Sequence, residues 1–302
     1  MEADMTGKVV LITGANSGIG KEAAVALARL GATVVVGARH EQRGRKALNE
    51  IKRRSRVLDD RVTLVPLDLA KFRSIRDAAA TVLDQHDRLD VLVNNAGGII
   101  SDRRVTEDGF EMMFGVNHLG HFLLTQLLLE RLQQSAPARI INVSSIAHHL
   151  AGGMTFADLQ HERFFNGTAV YNETKLANVL FTMELARRLE GTGVVANCLH
   201  PGAVRSGFGA AGDTRGFERL ILLLGKPFMV SSHRGAQPII RLAALERYEE
   251  ATGGYYVGGY LSRCAKHSAS AAGRDPATAR QLWDVSEALV AGVPVSHARP
   301  AG

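Results

Sequence analysis

The chain has 302 residues, 46% of them hydrophobic and 22% charged, which suits one large α/β domain or two small ones with a sizeable core. Its net charge of +6 is compatible with a phosphorylated cofactor, nucleic acid or an acidic membrane surface as partner. The two cysteines, Cys198 and Cys264, exclude a disulfide framework and have no metal-ligating neighbours at useful spacing, so we expect a reducing compartment and no metal.

The start of the chain, residues 1–7, lacks the basic and apolar regions of a signal peptide. No apolar run approaches the roughly 18 residues that cross a bilayer. We therefore expect a soluble, cytoplasmic protein without a membrane anchor.

A strand, a glycine-rich loop, a helix and a second strand come first. Lys8–Thr13 is apolar without alternation, as expected of a parallel strand covered on both faces, and Thr33–Gly37 has the same character. Between them, glycines at the start of a helix that ends at Gly31 let a pyrophosphate approach free N–H groups at the positive end of that helix. The residues expected at this phosphate site are Gly14, Asn16, Ser17, Gly18, Ile19 and Gly20.

The end of the second strand indicates which dinucleotide binds. An acidic residue there would bind the ribose hydroxyls and repel a 2′-phosphate, but this chain has Ala38, then Arg39, and Arg43 one turn on. A guanidinium without a competing carboxylate favours the phosphate, so we predict NADP(H) rather than NAD(H). The basic run Arg39–Arg56 is otherwise typical of a solvated helix face, and we expect no nucleic-acid partner because no aromatic residues are interleaved to stack on bases.

Further strands alternate with helices and place polar residues where they end. In parallel sheets ligands bind at the carboxyl ends of strands, so the hydroxyl pair Ser144 and Ser145 is well placed for chemistry. Asn117 lies within a predicted helix, Glu107–Gln134, where its side chain competes for backbone bonds, and such mismatches are expected at functional sites. The predicted strands are Arg61–Pro66, Leu89–Val93, Arg139–Val143, Val194–Leu199 and a last one at Gly253–Val257.

Tyr171 and Lys175 lie four residues apart, so on one helix they share a face. A nearby ammonium lowers the pKa of a phenol and makes it a usable general acid or base at neutral pH. The spacing alone is a weak signal, because a surface cation beside a half-buried ring is the commoner arrangement.

Together these motifs resemble the short-chain dehydrogenase/reductase family. Thr13–Gly20 fits its TGxxxGIG motif at each fixed position, and Asn94–Gly97 fits its NNAG motif. The 25 residues between Ser145 and Tyr171 resemble a retinol-dehydrogenase-like subgroup, as do Asn117–Phe122 (NHLGHF), Lys175–Thr182 (KLANVLFT) and Gln281–Val285 (QLWDV). The resemblance implies an α/β fold in which residues 1–302 form one Rossmann-type domain, a doubly wound parallel sheet with helices on both faces.

The resemblance also implies roles for single residues. Tyr171 would be the general acid or base, and Lys175 would lower its pKa and bind the nicotinamide ribose. Ser145 would bind the substrate oxygen, and Asn117 would complete a proton relay. Asp68 would bind the adenine, with capping of a helix near Lys71 as the alternative. The other cofactor contacts implied are Leu69, Asn95, Ala96, Gly97, Pro201, Gly202, Val204 and Ser206.

The apolar run Phe217–Val230 lies where the family has a mobile substrate lid, here about residues 206–230. A core helix and a shallow membrane-contacting helix are alternatives for this run. A terminal helix is predicted at about 276–290. The apolar helices Leu119–Leu132 and Leu176–Leu189 match those that pair subunits in the family, which is compatible with a homodimer or homotetramer, but the same faces could simply cover the sheet.

The function expected from this resemblance is that of an NADP(H)-dependent oxidoreductase. It would interconvert an alcohol and a ketone or aldehyde on a hydrophobic substrate, such as a retinoid, a steroid, a fatty aldehyde or a polyketide-like ketone. One alternative is the reduction of an activated C=C bond. Another is a non-catalytic NADP(H)-binding sensor, which predicts a damaged Ser, Tyr or Lys, and none is damaged in this sequence.

Overall fold

The computed structural model describes residues 3–57, 59–205, 230–259 and 264–292, without the side chains of Asp59 and Arg205. The strands in these ranges are β1 Val9–Thr13, β2 Thr33–Ala38, β3 Val62–Pro66, β4 Val91–Asn94, β5 Ala138–Val143, β6 Val194–His200, β7 Val204–Arg205, β8 Val230–Ser231, β9 Tyr255–Val257 and β10 Ala265–His267. Eight of them form one sheet in the order β10-β9-β6-β5-β4-β1-β2-β3, and β7 pairs with β8.

The sheet is wound outward in both directions from β1. Strands β2 and β3 follow on one side, and β4, β5, β6 and β9 on the other, all parallel to their neighbours. Because the chain changes direction between β1 and β4, the loops at their carboxyl ends diverge and leave a crevice for a ligand. The predicted doubly wound parallel sheet is confirmed, with β10 added as an antiparallel edge strand.

Helices cover both faces of this sheet, which explains why its strands are apolar without alternation. Leu27, Ile51 and Ile239 pack on one face, while Ile75 and Leu128 pack on the other. None of the described helices is long and apolar enough to cross a bilayer. The helices are α1 Gly18–Arg29, α2 Glu41–Ser55, α3 Phe72–Gln85, α4 Met112–Phe114, α5 Gly120–Gln134, α6 Gly167–Arg188, α7 Ser232–Gly235, α8 Gln237–Ala244 and α9 Pro276–Val290.

The last helix, α9, packs across α5 and α6. Its Trp283 ring lies 5.0 Å from Phe122 and 5.9 Å from Phe181 between centroids, and the Arg188 guanidinium stacks 4.3 Å from the indole. Aromatic rings at these distances add to the free energy of simple burial. The apolar surfaces of α5 and α6 that are compatible with a homodimer or homotetramer are therefore partly covered by the chain's own C-terminal helix.

Two sequence predictions of local structure are wrong. The helix predicted from Glu107 begins at Met112, because Gly109 adopts φ +86° in a preceding turn and the Glu111 carboxylate caps the start by accepting from the Met113 and Phe114 N–H groups. The Ala, Ser and Gly content of residues 263–275 predicts a loop, but this range contains the short edge strand β10. The predicted lid, 206–230, lies outside the described residues except for Val230.

Candidate active site

The glycine-rich loop joins the carboxyl end of β1 to the start of α1. Gly14 and Gly18 have φ of +67° and +56°, which favours glycine, and a Cβ added at Gly20 would lie 2.5 Å from Asn95 Nδ2. Ser17 is the N-cap of α1 but its side chain makes no capping bond, so the first N–H groups of the helix keep their donors for another acceptor. This cradle fits a phosphate group.

The turn after β4 is bound to the end of β1 through Thr13. The Thr13 hydroxyl accepts from the Asn95 and Ala96 N–H groups, both at 2.9 Å, and Asn95 Nδ2 donates to the Thr13 carbonyl at 2.7 Å. Asn94 Nδ2 donates to Asn142 Oδ1 of the neighbouring strand at 2.8 Å. These two asparagines therefore join neighbouring strands by side-chain hydrogen bonds.

At the end of β2 the structure concentrates positive charge. Arg39 and His40 are exposed, and Arg39 Nε donates to His40 Nε2 at 3.2 Å. Partial desolvation, with the positive charges of Arg39 and Arg43, lowers the pKa of His40. The field at this position therefore favours an anion, as the sequence predicts for a cofactor phosphate.

The turn after β3 holds Asp68 and Leu69 near the start of α3. Asp68 Oδ1 accepts from the Ala70 N–H at 3.1 Å and closes this turn, so the prediction that Asp68 caps the following helix is wrong. The carboxylate of Asp108 takes that place and accepts from the Phe72 N–H at 2.8 Å. Leu69 is buried. The adenine contact of Asp68 stays a prediction.

Asn117 lies in a π-helical turn, Gly115–Leu119, between α4 and α5, which agrees with its expected distortion of the helix. Its buried amide holds the backbone of Gly98 from both sides, with Nδ2 donating to the carbonyl at 3.0 Å and Oδ1 accepting from the N–H at 2.9 Å. A Cβ added at Gly97 would lie 3.0 Å from Asn117 Oδ1 and 3.4 Å from Lys175 Nζ. The side chains of Asn117 and Lys175 thus both lie next to Gly97.

The two serines after β5 face different ways. Ser144 is buried and donates its hydroxyl to the Lys175 carbonyl at 2.7 Å. Ser145 is half-buried, accepts from the Ala147 N–H at 3.2 Å and makes a side-chain hydrogen bond with Tyr171. The preference for Ser145 over Ser144 as the reactive hydroxyl agrees with this arrangement.

Tyr171 and Lys175 lie on α6 as expected, with Lys175 Nζ 5.6 Å from the centroid of the Tyr171 ring. Burial raises the pKa of Tyr171 to about 12, although its hydrogen bond with Ser145 lowers it in part, and burial lowers the pKa of Lys175 to about 8. The lowering of the phenol pKa by the ammonium stays a prediction. The ammonium donates to the Val143 carbonyl at 3.2 Å, and desolvation of the phenol dominates.

The segment after β6 returns to the glycine-rich loop. Gly202 has φ +89°, and a Cβ there would lie 3.1 Å from the Gly258 carbonyl oxygen. Beyond Pro201 and Gly202, Val204 lies in β7, and a Cβ at Gly235 would meet both Val204 and Ile19 at under 3 Å. The crevice is thus bordered by Pro201–Val204 and by the glycine-rich loop. Ser206 lies outside the described residues.

Two buried histidines have no predicted role, yet each touches a backbone carbonyl of a predicted catalytic residue. His121 Nδ1 lies 3.2 Å from the Asn117 carbonyl and its Nε2 lies 2.9 Å from the Thr13 hydroxyl. His148 Nδ1 lies 2.7 Å from the Ser145 carbonyl. A histidine three or four residues after a catalytic residue is a weak sequence signal, because the partners of its other ring nitrogen are distant in the chain.

Fold and site define the class of protein. A family model described as short chain dehydrogenase matches residues 8–214, and the chain belongs to this family of oxidoreductases. Within the family it is retinol-dehydrogenase-like: it is 47% identical to "Retinol dehydrogenase 12" of Mus musculus over 282 residues, 93% of this chain and 85% of that protein. The resemblance predicted from the motifs is confirmed.

Solved structures agree with this assignment. A crystal structure of a protein from Mycobacterium Paratuberculosis matches with a TM-score of 0.75 and 32% identity, covering 96% of this chain and 95% of that one. The 3-ketoacyl-(acyl-carrier-protein) reductase from Brucella melitensis complexed with NADH matches with a TM-score of 0.65 and 26% identity, covering 84% of this chain and 97% of that one.

Proposed function

We propose that the protein is an NADP(H)-dependent oxidoreductase that interconverts an alcohol and a ketone or aldehyde on a hydrophobic substrate, with reduction as the cellular direction because cellular NADP is mostly reduced. The observation that carries this proposal is the convergence of Ser145, Tyr171 and Lys175 at the carboxyl edge of the sheet, where the glycine-rich loop also opens. Both a reactive phenol and a phosphate cradle are needed for hydride chemistry, and they share one crevice.

The residues of the crevice fit a phosphorylated dinucleotide. The close approach of Gly14 and Gly20 to the turn after β4 leaves no room for side chains, and the uncapped start of α1 offers donors to a pyrophosphate. Arg39 would hold a 2′-phosphate, and Lys175 the nicotinamide ribose hydroxyls. When bound, NADP(H) supplies the hydride that a carbonyl carbon accepts.

The polar residues of the site then share the work of proton transfer to the substrate oxygen. Tyr171, with a pKa of about 12, keeps its proton at neutral pH and gives it to the substrate oxygen as charge develops there. Ser145 donates a hydrogen bond to the same oxygen. Lys175, with a pKa of about 8, is mostly protonated at pH 7 and favours the phenolate that forms when the proton leaves. Asn117 keeps the proton relay to Lys175 in place.

The preference for a hydrophobic substrate is supported by the apolar side chains around Tyr171. Tyr171 packs against the same small apolar core cluster as Ile99, Met112 and Phe165. The segment after Ser145 adds three large exposed hydrophobic side chains, Ile146, Leu150 and Phe164. Exposed apolar groups beside a polar centre indicate a ligand that brings its own apolar surface. The name of the mouse relative makes a retinoid one member of this class, beside steroids, fatty aldehydes and polyketide-like ketones.

A screen of NADPH oxidation over a panel of apolar and polar aldehydes and ketones tests the proposal. Tyr171→Phe removes only the hydroxyl and should lower kcat by at least about 100-fold while NADPH still binds, since general acid catalysis contributes on this scale. Full activity of Tyr171→Phe would show that another group donates the proton. Product analysis separates carbonyl reduction from reduction of a C=C bond, and a wild-type protein that binds NADPH but turns over no substrate would support the sensor alternative.

A further inference from the structure

His148 is a buried imidazole with both ring nitrogens in use. It lies in a 3₁₀ turn, Ile146–Leu150, that follows Ser145 directly, and none of its surface is exposed. Nδ1 is 2.7 Å from the Ser145 carbonyl oxygen, and the Ser270 backbone N–H points at Nε2 from 3.1 Å. Ser270 is 122 residues further along the chain, so the ring bridges two distant segments.

These two contacts determine which nitrogen carries the proton. A backbone N–H can only donate, so Nε2 must be the acceptor, and the proton of a neutral imidazole is therefore on Nδ1. Nδ1–H then donates to the Ser145 carbonyl, which can only accept. A charged ring would set an Nε2–H against the Ser270 N–H and lose that bond. The imidazole is thus held in one tautomer and one orientation.

The surroundings of the ring favour the neutral form. Burial lowers the pKa of His148, and the nearby His149 lowers it further, with the two ring centroids 4.0 Å apart. Tyr255 packs edge-on at 4.8 Å, and His200 of β6 is a third imidazole close enough for its own pKa to be lowered by both neighbours. These four aromatic side chains offer no carboxylate that would stabilise an imidazolium.

The segment that carries Ser270 rests on the same helix as Tyr171. Ser270 Oγ accepts from the Gly273 N–H at 3.1 Å, and a Cβ at Gly273 would lie 3.0 Å from Val179 of α6. The position of the Ser270 N–H is therefore set by packing on α6. His148 joins that position to the carbonyl of Ser145, which belongs to the end of β5.

We propose that His148 is a positioning residue, whose neutral ring ties Ser145 to the segment packed on α6 and so keeps the Ser145 hydroxyl within reach of Tyr171. This inference rests on the proposed function, because it gives Ser145 its reactive role. Apart from its side-chain hydrogen bond with Tyr171, the other hydrogen bonds of Ser145 in the described part of the chain are local, from the Ala147 N–H to its hydroxyl and from the His148 N–H to its carbonyl at 3.2 Å. The ring adds a link from the Ser145 backbone to the segment packed on α6.

Two substitutions separate the ring's contacts. In His148→Asn the amide Nδ2 replaces Nδ1 and still donates to the Ser145 carbonyl. In His148→Gln the longer side chain places its amide at the Nε2 position, so the Ser145 carbonyl loses its side-chain donor. Each variant keeps one contact of the bridge and loses the other, and a misplacement near 1 Å costs up to about 100-fold in rate, so we expect both His148→Asn and His148→Gln to lose about 10–100-fold in kcat. His149→Asn, at an exposed neighbouring position, serves as the control.

The readouts are kcat, the Kd for NADPH and the melting temperature, with kcat taken per mole of NADPH-binding protein so that misfolded material does not count. We expect kcat to fall in His148→Gln while the Kd for NADPH stays within about twofold of wild type, since the phosphate site is elsewhere. Wild-type kcat in either His148 variant would overturn the inference, because each variant lacks one of the two contacts that form the bridge. Ser145→Ala is measured in parallel: if it retains full activity, the proposed function fails rather than the positioning of Ser145.

Discussion

The cofactor side of the sheet, residues 8–70, and the substrate side, residues 145–175, are built in different ways. On the cofactor side, glycines without side chains let the loop after β1 touch the turn after β4. On the substrate side, side chains hold the backbone, as where the Glu173 carboxylate accepts from the Thr155 N–H at 2.6 Å. A site made of backbone can be recognised from residue spacing, whereas a site made of side-chain bridges depends on contacts that are distant in sequence.

We expect the largest effect on stability from a substitution that removes the buried charge at the amino end of β1. Asp90 is 2% exposed, accepts from the Val9 N–H at 2.9 Å and pairs with Lys8 and Arg88. Asp90→Asn should lower the free energy of unfolding by about 2–3 kcal/mol, since the two cations are partly exposed and soften the loss. Denaturant unfolding measures this, and Asp87→Asn at an exposed position should change little.

The lowered pKa of Asp90 also predicts that the protein loses stability at acid pH. Burial opposes the charged form of Asp90, but its bonds to Arg88, Val9 and Lys8 prevail and lower its pKa. A depressed carboxyl pKa contributes stability that is complete above the unfolded value of about 4 and is lost as the pH falls through the folded value. The difference in stability between wild type and Asp90→Asn should therefore shrink below about pH 4, and a constant difference would contradict this account.

The backbone contact of the cofactor side can be broken with one methyl group. Gly20→Ala places a Cβ 2.5 Å from Asn95 Nδ2 and should push the turn after β4 away from Thr13. We expect a loss of about 1–2 kcal/mol in stability together with weaker NADPH binding. Gly152→Ala on the substrate side meets no atom within 4 Å and has ordinary φ, so it should leave both quantities unchanged.

Cofactor choice gives a smaller, selective effect. Arg39→Asp should raise the Kd for NADPH by roughly tenfold or more and change the Kd for NADH much less, because only NADPH carries the 2′-phosphate. Lys46→Asp makes the same change of charge at an exposed position further along α2. If Lys46→Asp weakened NADPH binding equally, a general field rather than a specific contact would be responsible.

The smallest effect concerns a pH-dependent contact on the substrate side. His161 Nε2 lies 3.1 Å from Glu173 Oε2, and this hydrogen bond raises the His161 pKa against the effect of burial, with help from the charges of Glu173, Glu111 and Asp158. A raised histidine pKa contributes stability that is complete below the unfolded value of about 6.5 and is lost as the pH rises through the folded value.

His161→Asn tests this contact without backbone strain, because asparagine tolerates the φ of +47° at this position. Near pH 6 the free energy of unfolding of this variant should be about 1 kcal/mol lower than that of wild type, which a lower melting temperature would report. The difference should fade well above the histidine pKa. His267→Asn, at an exposed position in β10, should show no such dependence.

Much of the fold could be predicted because its signals are local. The apolar strands β1 and β2 were placed within a residue of their observed ends, and the spacing of Tyr171 and Lys175 puts them on one face of α6. The pKa of Tyr171 could not be predicted in direction, because it depends on desolvation that no spacing encodes. His148 could not be assigned a task, because its second partner is a backbone group in a segment that the sequence presents as a loop.

The packing of α9 has a consequence for biosynthesis. Within the described chain, Leu282 and Trp283 are the last buried apolar side chains, and the Trp283 ring closes over Phe122 and Phe181. A polypeptide still attached to the ribosome therefore exposes those two rings until α9 has left the ribosome. We expect the nascent chain to depend on chaperones until α9 can pack, and stop codons upstream of α9 to yield insoluble product.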